Sequence, residues 1–148
     1  MKMGLEPFMA LDQKTLKFMT ENHNAVLSTY RRDGATQMSI VTTGPYKDGV
    51  AFSTTENRAK LRNLERNPRC SLLVAQDNWW GYVVLEGVAE IISLKTTGAH
   101  ELRDAMRDVY RAAAGKEHPN WDEYDEVMRQ ENRVGVVVIP NKTYGTVL

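Results

Sequence analysis

The stretch Asn57–Arg69, N-R-A-K-L-R-N-L-E-R-N-P-R, decides how the rest of the chain is read. Just upstream, Val50-Ala51-Phe52-Ser53-Thr54-Thr55 reads as a strand that ends in three hydroxyls. Glu56 and Asn57 make a turn, Arg58 opens a short helix, and Asn67-Pro68 stops it. Leu61 and Leu64 fall three apart, so one helix face packs inward while Arg58, Lys60, Arg62 and Arg66 stay in water. A helix start with free N–H groups, neighbouring hydroxyls and two cations in its first turn suits a phosphate. A merely solvated basic face has the same spacing.

Outward from this stretch the chain reads as strands joined by tight turns. Ala25–Tyr30 and Thr36–Thr43 flank Asp33-Gly34 as a hairpin, with Gln37, Ser39 and Val41 on one side of the second strand. Gly44-Pro45 and Asp48-Gly49 bracket the next turn before Val50–Thr55. Arg69–Ala75 is apolar enough to be a strand covered on both faces. Trp79-Trp80-Gly81-Tyr82 leads a long strand to about Ser93, and Gly87 within it signals a bulge or bend. Arg133–Ile139 is the sixth strand, with Pro140 and a tail after it. Helices are expected over Leu11–Glu21, with Asp12 as N-cap, over Thr96–Ala114, closed by Gly115, and from Asn120 onward. Hairpins mean antiparallel pairing, and the bend at Gly87 favours a small closed or half-open barrel with helices outside. The fold class is therefore mainly β (α+β), with six antiparallel strands.

At 148 residues the chain fits one domain, 1–148. Its formal net charge of zero gives no broad electrostatic hold on nucleic acid or an anionic membrane. No apolar run approaches a membrane span, and Met1–Met9 lacks the pattern of a secretory signal, so a cytoplasmic location is expected. Cys70, the only cysteine, sits in an apolar run and reads as structural. With three scattered histidines beside it, no metal site is expected. His23 reads as a hydrogen-bonding turn residue, His100 as solvent-facing and His118 as a loop residue. Dinucleotide and triphosphate loops and the nucleophile elbow are absent, and no catalytic residue is identified. Three positive features remain. They are the hydroxyls running into Arg58 and Lys60, the aromatic cluster at Trp79–Tyr82, and the polar pair Gln37 and Ser39. Together they match a planar heterocycle carrying a phosphate. For Trp79, Trp80 and Tyr82 taken singly, core packing or a dimer seam is the better reading.

Ser53-Thr54-Thr55, Asn57-Arg58-Ala59-Lys60, Asn63-Leu64 and Asn67-Pro68-Arg69 together resemble the pyridoxamine 5′-phosphate oxidase-like split-barrel flavoproteins. The resemblance runs from about Leu11 to Gly145. Trp80-Gly81-Tyr82, Glu86-Gly87, Tyr110-Arg111, Ala114-Gly115, Trp121–Tyr124 and Tyr144-Gly145 resemble, more closely, the small deazaflavin-dependent reductases of that superfamily. That resemblance implies a split barrel and an oxidoreductase that uses coenzyme F420, with FMN as the alternative. Hydride would pass to a small conjugated organic acceptor. It implies that Arg58 and Lys60 hold the coenzyme's phosphate or acidic tail, helped by Ser53 and Thr54, with Asn63 in the same motif. Gln37 and Ser39 would face the ring. Trp80, Gly81 and Tyr82 would border it, from the second subunit of a homodimer with the coenzyme at the interface. Arg62 near the tail's exit favours the deazaflavin over FMN. A non-catalytic flavin or tetrapyrrole carrier is the rival reading. Ile40 departs from the polar residue expected beside the ring. Thr143–Leu148 lacks the Arg and His that vitamin-B6 oxidation would need.

Overall fold

The first two strands leave the chain at one edge of a sheet, and the next strand begins at the other edge. In the computed structural model, which describes residues 10–148, β1 (Asn24–Tyr30) and β2 (Thr36–Thr42) form the predicted hairpin. A short β3 (Gly44–Tyr46) then pairs with β4 (Gly49–Thr55). With β5 (Arg69–Ala75), β6 (Tyr82–Ile92) and β7 (Arg133–Tyr144), the sheet order is β2-β1-β5-β6-β7-β4-β3, every pair antiparallel. The edge strands β2 and β3 are separated by Thr43 alone. Two consecutive Cα–Cα steps span no more than about 7 Å. The sheet must therefore curl until its edges meet, which makes a half-barrel. Thr43 secures the junction: its N–H bonds to the His23 carbonyl at 2.8 Å, and His23 Nδ1 donates back to the Thr43 carbonyl at 2.8 Å.

Seven strands stand where six were expected, because Gly44-Pro45 is a strand rather than only a turn. The last strand also runs on through Pro140 to Tyr144. Proline survives there because the register shifts beside it. Gly87 faces Pro140 while Glu86 faces Lys142, so Asn141 is an extra residue on β7. The bulge expected at Gly87 is thus present, and a Cβ there would lie 1.9 Å from the Ile139 carbonyl oxygen. β5 is covered on one face only, with Cys70, Leu72 and Val74 buried and Ser71 and Leu73 half-exposed.

Strand alternation sorts side chains into two cores. Inside the curl, Leu27, Phe52, Leu72, Leu85, Val136 and Val138 pack with Met19 and with Leu61 and Leu64. Met19 comes from α1 (Gln13–Glu21), capped by Asp12, and the two leucines from α2 (Ala59–Arg66). On the outer face Ala51, Val137 and Ile139 pack under Val109 of α3 (Ala99–Ala114). Next comes α4 (Trp121–Gln130), whose N-cap Asn120 accepts the Glu123 N–H as the sequence predicts. Tyr124 Oη donates to the Met106 carbonyl at 2.8 Å, and Arg107 pairs with Asp125, so the two helices are tied into one layer. No helix of the described residues is long and apolar enough to cross a membrane.

Candidate functional site: a cationic cleft under the helical layer

Where β4 runs out into α2, the outer sheet face and the helical layer part to leave a cleft of about 740 Å³. Ser53, Thr54 and Thr55 line its floor and Arg58 and Lys60 its near wall. Local geometry explains the near wall. Thr55 Oγ1 donates to Asn57 Oδ1 at 2.7 Å and tightens the turn, and Arg58 is the N-cap of α2 with no side chain capping it. Arg133 opens β7 directly opposite Thr55, and its guanidinium donates to Ser53 Oγ at 3.3 Å. The far wall is helical and aromatic: Tyr110, His118, Tyr124 and Met128. Ile40, Val41 and Thr42 of β2 close one side.

Charge is poorly balanced here. Lys60 has its pKa lowered, first by burial and then by the neighbouring Arg58 and Arg133 guanidiniums. Of the three cations, Arg133 is held by Glu131 at 2.7 Å. Among the described residues, Arg58 and Lys60 have no carboxylate in salt-bridge contact. A cation desolvated beside two others is stabilised by an incoming anion, which lifts both penalties together. The aromatic wall is a packed cluster. Tyr110, His118, Trp121 and Tyr124 meet with ring centroids 5.1–5.8 Å apart, and the Arg111 guanidinium lies 4.5 Å from the Trp121 ring centre. Burial pushes the Tyr124 hydroxyl up to about 12, so it remains protonated at neutral pH. His118 Nδ1 accepts the Asn120 N–H at 3.0 Å, which leaves the proton of the neutral ring on Nε2. The cleft therefore offers cations and hydroxyls at one end and, at the other, an aromatic wall with the Glu123 carboxylate beside it.

A family model described as pyridoxamine 5′-phosphate oxidase matches residues 11–145. The chain belongs to the pyridoxamine 5′-phosphate oxidase family. Solved structures carry the same fold at low identity. A conserved hypothetical protein of Mycobacterium tuberculosis is 22% identical with a TM-score of 0.71, over 93% of this chain and 85% of that one. An F420 reductase is 23% identical with a TM-score of 0.62, over 90% and 98%. A heme-storage protein of Vibrio cholerae is 14% identical with a TM-score of 0.65, over 93% and 95%.

In this member of the pyridoxamine 5′-phosphate oxidase family, the residues singled out from the sequence fall into three places. Ser53, Thr54, Arg58 and Lys60 share the cleft. Gln37 and Asn63 do not line it. Asn63 Nδ2 donates to Gln37 Oε1 at 2.9 Å and to Thr29 Oγ1 at 3.0 Å, a buried tie between α2 and the first hairpin. Ser39 is half-buried on the same side of β2 as Gln37, opposite Leu27. Trp80, Gly81 and Tyr82 sit at the start of β6, whereas Ile92 at its far end is in the row Ile92–Gly135–Ser53. Those ends are about 33 Å apart along the strand. The Trp80 loop is held by Thr146, which donates to the Trp80 carbonyl at 2.8 Å and accepts the Tyr82 N–H at 3.1 Å. Arg133, Tyr110, His118 and Met128 are site residues that the sequence does not single out for the cleft. Arg133 lies 75 positions beyond Arg58 (133 minus 58), and only the β4–β7 pairing brings the two together.

Proposed function

We propose that the cleft holds the anionic chain of a flavin-type coenzyme, with coenzyme F420 as the ligand and FMN as its competitor. Lys60, half-buried and repelled by Arg58 and Arg133 in a cleft that Ser53 and Thr54 also line, carries this reading. Arg58, Lys60 and Arg133 would hold the phosphate, with Ser53 and Thr54 as neutral partners. Tyr110, His118 and Met128 would exclude water from the same volume. When bound, the coenzyme supplies the hydride that a small conjugated organic acceptor receives. The protein's part is to orient and desolvate, which agrees with the charge and shape of the cleft.

The working unit in this reading is a homodimer. On β2, Met38 and Ile40 are 69% and 77% exposed, and Trp80, in the loop before β6, is 81% exposed. Large apolar side chains left exposed in this way suit an interface with a second copy. A second copy seated there would bring the Trp80–Tyr82 loop toward a cleft that its own chain lines without it.

Fluorescence titration of the purified protein with F420 and with FMN tests the proposal. Lys60→Ala should weaken binding by about 1.5–3 kcal/mol through loss of a charge-assisted bond. FMN bound more tightly than F420 would replace the coenzyme in this reading. Binding of neither would end it.

A further inference from the structure

The arginines of this chain divide sharply by location. Arg103, Arg107, Arg111, Arg129 and Arg133 each hold a carboxylate. Among the described residues, Arg31, Arg32, Arg58, Arg62, Arg66 and Arg69 hold none, and all six lie on the β1–β2 hairpin tip or within and beside α2. A protein of zero net charge has thus left its unneutralised guanidiniums at the hairpin tip and around α2. Four of them, Arg31, Arg32, Arg62 and Arg66, line one shallow depression apart from the cleft. Its single acid, Asp33, is engaged in the turn, where Oδ1 accepts the Ala35 N–H at 2.9 Å. Arg66 is held by neutral acceptors, Asn63 Oδ1 at 3.0 Å and the Tyr30 carbonyl at 3.3 Å. It is oriented without losing its charge.

We infer that this depression is a docking surface for an extended acidic segment of another protein. Guanidinium forks suit carboxylates, and the four cations here are all arginine, none lysine. Spacing selects the partner. Arg62 and Arg66 are one helical turn apart, a rise of about 6 Å. Alternate side chains of an extended peptide repeat at about 6.6 Å, so carboxylates at every second position meet successive arginines. Single-stranded nucleic acid fits less well, because it is gripped by aromatic platforms and the depression is lined by no aromatic residue. Duplexes need a longer run of phosphate contacts than four arginines provide.

The test is fluorescence anisotropy on the full chain with a labelled peptide alternating Glu and Ser. Its Gln–Ser counterpart, inorganic tripolyphosphate and a single-stranded oligonucleotide serve as competitors. The Glu peptide should bind, weaken steeply with salt, and lose at least tenfold in affinity in Arg31→Glu/Arg32→Glu. Both positions are exposed at the hairpin tip, and an unchanged melting temperature verifies the fold. The same variant should keep wild-type affinity for F420 and for FMN, whereas Lys60→Ala should leave peptide binding intact. Equal binding of the Gln peptide, tighter binding of the oligonucleotide or tripolyphosphate, or indifference to the hairpin charges would each overturn the inference.

Discussion

Asn63 is 5% exposed, and its amide meets Thr29, Gln37 and Arg66 at once. Asn63→Ala should therefore destabilise the fold by about 1–3 kcal/mol, since partners are left unsatisfied in a buried place. Chemical denaturation measures this, and a loss under about 0.5 kcal/mol would mean water replaces the amide freely. Lys60 makes a different prediction, about pH. Its folded pKa lies below the ordinary value because of burial and two neighbouring cations. Between that lowered value and about 10.4 the unfolded chain binds more protons than the folded one, so stability rises as pH climbs through the window. The ligand-free protein, compared with Lys60→Met across alkaline pH, should show this gain, and an anion bound in the cleft should abolish it. A flat difference would mean that Lys60 escapes its neighbours into solvent.

Elements were easier to read than their ends. Hairpin turns at Asp33-Gly34 and Asp48-Gly49, the caps Asp12 and Asn120, and the bulge at Gly87 are local signals, and all are found in the structure. β3 was hidden because Gly44-Pro45 has turn chemistry, and its strand character comes from pairing with Val50 and Ala51. The site divides in the same way. Ser53 to Lys60 is one contiguous run and could be found by eye, whereas Arg133 and Tyr110 arrive through tertiary packing, which no local pattern encodes. Gly44 also sets how closely α3 lies on the sheet. An added Cβ would be 2.1 Å from the Ala112 backbone, which cannot yield as a side chain would. Gly44→Ala should displace α3 and cost about 1–3 kcal/mol. Thermal melting would reveal it, and a wild-type midpoint would show that the helix rides loosely.

At the scale of the whole molecule, the cleft exists because a sheet with helices on part of its outer face curls until β2 approaches β4. Asn141 contributes to that curl without belonging to any pair: Lys142 still faces Glu86, Thr143 faces Leu85 and Tyr144 faces Val84 beyond it. Deleting Asn141 should therefore preserve every partnership while straightening the ribbon. Far-ultraviolet circular dichroism should hardly change, while anion affinity in the cleft should fall. A deletant that binds as wild type would place the source of the bend elsewhere. One unmatched residue bends β7 here, so a single codon gained or lost at that point would change the bend of the strand while the pairs on either side keep their partners.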